Sequence, residues 1–317
     1  MNLEKEIKLG TGVPKEITKK TKIRSLHRKE AIAGYIFALP AILGLLLWTI
    51  GPMIASLIMS FTNWKIIGAS EWVGFQNYVN IFTNDIYFKK SLWVTFYFAF
   101  GSTFFTLLSA LIVALLMNMN VKGQSVFRTM YYLPVIVPAV ASNILWLWLF
   151  NPDFGLLNTI LDFLGLPTLM WIYDESTAIP SLILLSVWSC GGTALIFLAG
   201  LQDVPKQLLE AVDIDGGNVW HKFRYVTIPT ITPVIFFNLI MGLIGAFQAF
   251  TQAYVMTEGG PNNATFFYVY LIFREAFLQN NMGYASALAW ILFIIIALFT
   301  LFIFRSSKDW VHYGGRK

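Results

Sequence analysis

Six ionisable residues, Glu210, Asp213, Asp215, His221, Lys222 and Arg224, are gathered in the stretch EAVDIDGGNVWHKFRYVTIP, residues 210–229, between two long apolar runs. Their types would serve acid–base work, a metal or a charged docking surface, and spacing decides between these. The three histidines, His27, His221 and His312, are too scattered for a metal-ligand set. Cys190 is the sole cysteine, so neither a disulfide framework nor a cysteine metal site is available, and it reads as a small packing residue. No GxxxxGK[ST] phosphate loop occurs anywhere. Docking remains.

A second, uncharged group of residues flanks the first. Ser186, Ser189, Cys190 and Thr193 fall on neighbouring helical positions in one apolar run. In the next, Asn238, Gly242, Gly245, Ala249 and Gln252 recur at three- and four-residue steps and share one face of an ideal helix. Gln248 and the rings of Phe247, Phe250 and Tyr254 stand beside them. Hydroxyls and amides can hydrogen-bond a ligand, and aromatic planes can cover its apolar faces. Small residues on membrane helices also mark close packing, and buried amides also bond neighbouring helices, so both roles stay open for each residue. Two amides one turn apart in a bilayer are costly without a partner, which singles out Gln248 and Gln252.

The elements that position these groups follow from composition. With 57% hydrophobic and 12% charged residues, the 317-residue chain is a polytopic all-α membrane protein. Six runs are long enough to cross a ~30 Å hydrocarbon core, with spans expected at about 31–61, 91–117, 130–150, 179–201, 233–256 and 283–304. The expected domains are a flexible basic tail over 1–30 and a transmembrane body over 31–317. The tail holds nine Lys/Arg and four acids, and resembles a cytoplasmic tail more than a signal peptide. Placing both termini in the cytoplasm puts 18 Lys/Arg on the inner side and four outside, as the positive-inside rule requires. The net charge of +5 is therefore a matter of orientation, with no nucleic-acid partner implied. Trp64, Trp72, Phe75 and Tyr78 read as an external interfacial anchor.

On this topology the loop 203–229 is cytoplasmic. Pro205 and Gly216 bracket a short helix, a second helical start follows at Asn218, and the chain is expected to re-enter the membrane at Pro233. The six span cores carry no Asp, Glu, Lys, Arg or His, which disfavours a proton relay. Sodium coupling through hydroxyls and carbonyls stays open.

With these features in hand, the chain resembles the permease subunits of ATP-binding-cassette carbohydrate importers. That family's loop reads Glu-Ala-Ala, three residues, Gly, nine residues, Ile, any residue, Leu-Pro. Here it stands as Glu210, Ala211, Val212, Gly216, Val226, Ile228 and Pro229, with conservative departures at Val212, Val226 and Ile228. The segments FALPAILGLLLWTIGPMIASLIMSFTNW, WVGFQNYVNIF, FRTMYYLPVIVPAV, IPSLILLSVW, VMTEGGPNNAT and GYASALAW are similar to the F-type subunit of maltose, glycerol-phosphate and multiple-sugar importers.

The resemblance implies a type I importer permease fold and a bacterial inner-membrane (plasma-membrane) location. It implies as partners a second homologous permease, two copies of an ATPase, an external or periplasmic sugar-binding protein, a sugar or oligosaccharide, and the lipid bilayer. It implies that this chain is not an enzyme and binds no cofactor or metal itself, ATP and Mg residing on the ATPase. Glu210, Ala211, Asp213, Asp215, Gly216 and Pro229 would couple to that ATPase through the helix 205–215. Ser186, Ser189, Thr193, Asn238, Gly242, Gly245, Gln248, Phe250, Gln252 and Tyr254 would line the substrate path. A self-sufficient facilitator, a sodium-coupled carrier, and a permease for amino acids or peptides are the alternatives that the residues leave open.

Overall fold

The structure, a computed structural model, describes residues 17–66, 70–119 and 122–312. It divides into two units, residues 1–56 and 57–317. The first unit holds helix α1 (Ile17–Leu45), a π-helical turn at Leu46–Ile50 and the start of α2 (Gly51–Ser60). Of the flexible tail expected over 1–30, residues 1–16 lie outside the described residues, and Ile17 onward forms the start of α1.

The second unit carries α3 (Gln76–Thr83), α4 (Ile86–Asn118), α5 (Gln124–Ile136), α6 (Ala139–Leu149), α7 (Leu156–Phe163), α8 (Ala178–Trp188) and α9 (Gly191–Gln202). Then come α10 (Lys206–Ile214), α11 (Val219–Lys222), α12 (Ile228–Phe247), α13 (Tyr268–Phe273) and α14 (Met282–Trp310). The protein is all-helical, with a single isolated β-bridge, Thr62 to Trp72, among the described residues.

Among the described residues, four helical segments are long and apolar enough to cross a bilayer: Glu30–Ser60, Ile86–Asn118, Val219–Phe247 and Met282–Trp310. Two pairs reach that length only together, α5 with α6 bent by 99° and α8 with α9 bent by 49°. The count is thus four, or six if each bent pair is one span. The run 130–150, read from sequence as one helix, breaks at Val137. Val137 is extended (φ −69°, ψ 131°), the conformation a following proline imposes, and Pro138 starts α6. The second bend falls at Ser189 and Cys190. Just beyond it Gly191 lies so close to α5 that a Cβ would come within 2.0 Å of the Tyr131 carbonyl oxygen.

Helix α4 is the central mast of the second unit and packs along α8, α9 and α12. Asp85 starts it, accepting hydrogen bonds from the Tyr87 and Phe88 amides at 2.8 and 3.2 Å. Two apolar cores lie along the mast. One gathers Phe98, Leu182, Phe247, Phe267 and Leu288. The other, towards the end that carries α10, gathers Ala110, Val113, Phe197, Leu201, Val226 and Ile231. Of the four aromatic residues expected at the interface, Trp72, Phe75 and Tyr78 gather on Phe61, which stacks on Trp72 at 5.7 Å and meets Phe75 and Tyr78 at 5.2 and 5.6 Å.

Candidate functional site

Two features stand at different levels of the second unit. The first is a cavity of about 360 Å³ between α4, α8 and the end of α12. It brings together Ser186, Ser189, Gly242, Gly245, Gln248, Phe250 and Gln252, with Ala249 and Thr251 beside them. Helix α4 adds Phe98, Ser102, Thr103 and Thr106, none of which sequence spacing had singled out. They sit on a mast that reads as a uniformly apolar run, so only its packing reveals which face is polar.

The cavity walls come from broken helices. α12 stops at Phe247, and its last turn tightens, with the Gln248 and Ala249 amides donating to the Gly245 and Ala246 carbonyls at 3.2 Å each. The single helical face expected over Asn238 to Gln252 therefore ends at Gly245; the break presents Gln248 to Phe250, and Thr251 and Gln252 open the next helical turn. Neither glutamine amide has a hydrogen-bond partner among the described residues. The Ser186 and Ser189 hydroxyls donate back to the Leu182 and Leu185 carbonyls at 3.0 and 3.4 Å, which leaves their oxygens free to accept. No Asp, Glu, Lys, Arg or His lines the cavity among the described residues.

Three of the expected path residues lie outside the cavity lining. Asn238 is buried, and its amide donates to the Val234 carbonyl one turn back at 2.9 Å. Tyr254 stacks on Phe250 with ring centroids 5.2 Å apart, on a π-helical turn (Ala253–Thr257) beyond the break. Thr193 lies past the α8–α9 bend. Phe247 belongs to the core, edge-on to Phe96 at 5.1 Å.

The second feature is a helical hairpin, α10 and α11. α10 ends in paired carbonyl caps: the Gly217 amide donates to Val212 at 2.8 Å and the Gly216 amide to Asp213 at 3.1 Å. That geometry requires the left-handed backbone Gly216 adopts, φ +77°. Gly217 is needed for space, since a Cβ there would approach Val212 Cγ1 to 2.4 Å. α11 opens on a reciprocal cap in which Asn218 Oδ1 accepts from the His221 amide at 3.0 Å and His221 Nδ1 accepts from the Asn218 amide at 3.2 Å. Lys222 Nζ meets Asp213 Oδ1 at 2.6 Å and braces the two helices.

One face of α10, Leu209 and Val212, packs on the second apolar core. Glu210, Ala211, Asp213, Asp215 and Gly216 are exposed, and Pro229 is half-buried in the first turn of α12. Sequence reasoning missed the apolar tip: Ile214 is 86% and Val219 81% exposed, with Trp220 beside them. Pro233, where re-entry into the membrane was expected, starts no element of its own. The chain is helical without interruption over Val219–Phe247, through a π-helical turn at Phe223–Thr227, and Pro233 lies inside α12. A wider turn just before Pro229 gives its ring room against the carbonyl one turn back.

Residues 106–309, which hold the hairpin and much of the cavity wall, match the family described as binding-protein-dependent transport system inner membrane component. The chain belongs to that family. As an inner-membrane component of a transport system it is a transport subunit, not an enzyme. Among relatives of the permease, the probable ABC transporter permease protein YesP of Bacillus subtilis is 42% identical over 93% of this chain and 96% of its own. The arabinooligosaccharides transport system permease protein AraP of Bacillus subtilis is 32% identical over 96% and 97%. The sn-glycerol-3-phosphate transport system permease protein UgpA of Pectobacterium atrosepticum is 34% identical over 88% and 95%. A chain of the bacterial alginate ABC transporter, solved with an alginate pentasaccharide-bound periplasmic protein, superposes with a TM-score of 0.78 at 20% identity, covering 89% of this chain and 96% of that one. The permease shares its fold.

Proposed function

We propose that the permease is one of two membrane subunits of an ATP-driven sugar importer, and that it takes its energy through the α10–α11 hairpin. The observation that carries this reading is the hairpin itself: a capped, salt-bridged knob with an exposed apolar tip, packed by Leu209 and Val212 onto the helices that build the cavity. A rigid element transmits a displacement that a flexible loop would absorb. Glu210, Ala211, Asp213, Asp215 and Gly216 meet a cleft of a separate ATPase. Closure of two such ATPases on ATP and Mg draws the hairpins of two permeases together and switches the path from inward- to outward-facing.

In this reading each bent helix pair is one span, which gives six, with both termini in the cytoplasm by the 18-to-4 distribution of Lys/Arg. Residues 31–317 form the transmembrane body. An external binding protein delivers the sugar, which passes Ser186, Ser189, Gly242, Gly245, Gln248, Phe250 and Gln252, with Thr193, Asn238 and Tyr254 bordering its route. The chain binds no cofactor or metal of its own. The names of relatives such as AraP, and the neutral hydrogen-bonding wall of the cavity, support a carbohydrate substrate.

Affinity purification of the tagged permease from its native membrane tests the assembly. A second permease and an ATPase are expected to co-purify, with sugar uptake in vesicles dependent on internal ATP. Uptake by vesicles holding this chain alone, at the rate of the full assembly, overturns the proposal.

A further inference from the structure

The chain between α6 and α8, residues 150–177, is a folded lobe on the outer side of the topology proposed above. Asn158 clamps it from inside. Its buried side chain donates from Nδ2 to the Pro152 and Leu169 carbonyls at 3.0 and 2.9 Å, while Oδ1 accepts from the Leu169 amide at 3.1 Å and from Trp171 Nε1 at 2.8 Å. Trp171 in turn packs on Phe150, with ring centroids 5.3 Å apart. On the lobe so fixed, one stripe of α7 is left uncovered: Leu156, Ile160, Phe163 and Leu164, at the four-, seven- and eight-residue steps of a helix face, are all exposed, Phe163 to 89%. Phe154 and Met170, which flank the helix in the chain, are exposed as well. An apolar face of this extent outside the spans calls for a partner.

Charge decides which partner. The lobe carries four exposed carboxylates, Asp153, Asp162, Asp174 and Glu175, and no Lys or Arg. The Ser176 hydroxyl and amide hold the Asp174 carboxyl below the usual carboxylate range, so it keeps its charge in mildly acid surroundings. A helix lying on phospholipid headgroups carries Lys and Arg beside its apolar stripe, the reverse of this composition. A second permease is no better matched. The positive-inside rule strips Lys and Arg from outer loops, as it does here, where the loops 62–90, 151–178 and 257–282 hold eight Asp/Glu and four Lys/Arg. A water-soluble external protein is under no such rule and can ring an apolar patch with cations.

We propose that α7 is a docking face for the external sugar-binding protein, with Phe163 seated in an apolar pocket of that protein and Lys or Arg on its rim meeting the four carboxylates. An apolar centre within a polar rim is the common anatomy of such interfaces. The assignment rests on the permease being fed by a binding protein, and it says where that protein sits. The lobe is also joined to the cavity wall: Glu175 accepts a hydrogen bond from Asn262, and α6 packs against the π-helical turn Ala253–Thr257 that directly follows Gln252.

The test begins in cells making the complete importer, with Phe163 replaced by the photoreactive analogue p-benzoylphenylalanine. Irradiation is expected to join the permease to an external protein which, once purified, stimulates ATP hydrolysis by the wild-type importer in proteoliposomes. Adducts with phospholipid alone, with the second permease alone or with a protein that does not stimulate, or no adduct, overturn the proposal. In the same proteoliposomes Phe163→Asp raises the concentration of that protein giving half-maximal stimulation at least about tenfold, and leaves the unstimulated rate unchanged because the ring is exposed in the permease. Asp162→Lys raises it too, by a factor that shrinks as salt is added. Equal half-maximal concentrations for Phe163→Asp and the wild type overturn the docking face and leave the importer standing. A wild-type importer that no external protein stimulates is the separate failure, which removes the importer reading and the docking face with it.

Discussion

At the scale of single residues, the amides of Gln248 and Gln252 are the groups on which the path depends most. Each borders the cavity and has no partner among the described residues, so substrate or water must satisfy it. Gln252→Leu is expected to cut sugar-stimulated ATP hydrolysis and uptake about tenfold, the order of one or two neutral hydrogen bonds, as measured in proteoliposomes. Unchanged activity would move the path elsewhere. Residue types and steps of three and four were enough to bring seven of the ten expected path residues to one cavity. They could not show that Asn238 turns its amide to Val234, or that Tyr254 joins a ring stack with Phe250. Periodicity describes an ideal helix, and α12 ceases to be one after Phe247. Thr103 and Thr106 stayed hidden for a different reason: in a run such as STFFTLLS, burial depends on neighbouring helices and not on spacing.

At the scale of elements, the hairpin was the most legible part of the chain because its signals are local. Pro205, Gly216 and Asn218 announce a start, a stop and a second start, and the helix lies between them at Lys206–Ile214. What sequence could not show is how the hairpin is held: the Asp213–Lys222 bridge, the seating of Leu209 and Val212, and the continuity of α11 into α12. The bridge is partly exposed, so its coupling should be small, about 0.2–1 kcal/mol. Asp213→Ala and Lys222→Ala should each speed amide exchange at Gly216 to His221 by a fewfold while leaving the middle of α4 protected, and the double variant should be no faster than either. Additive effects would show that the two side chains do not act as a pair. The bends at Val137 and Ser189 were less legible, since a proline or a glycine pair marks a place where a helix can bend without setting the angle.

At the scale of the whole second unit, hairpin and cavity are joined by continuous helix. From Val219 to Phe247 the chain runs 29 residues, a rod of about 40 Å that begins at the hairpin and ends at the cavity wall. α4 runs beside it through both apolar cores. Close-packed interiors transmit displacement rather than absorb it, so a push at the exposed tip is felt where α12 breaks. The membrane class was readable from composition alone. The number of spans was not, because a hydrophobic run has the same composition whether it is straight or bent by 99°.

The central claim, that work enters through the hairpin, is tested most directly by the ratio of ATP hydrolysed to sugar imported for a Gly216→Val importer in proteoliposomes. A β-branched residue is strained at φ +77°, while nothing lies within 4 Å of the position to clash, so the turn is disturbed without touching the core. The expected result is retained ATP hydrolysis with uptake reduced at least about tenfold, and near-normal coupling in Gly216→Asn, which tolerates the left-handed backbone. Normal sugar uptake per ATP in Gly216→Val would contradict the account.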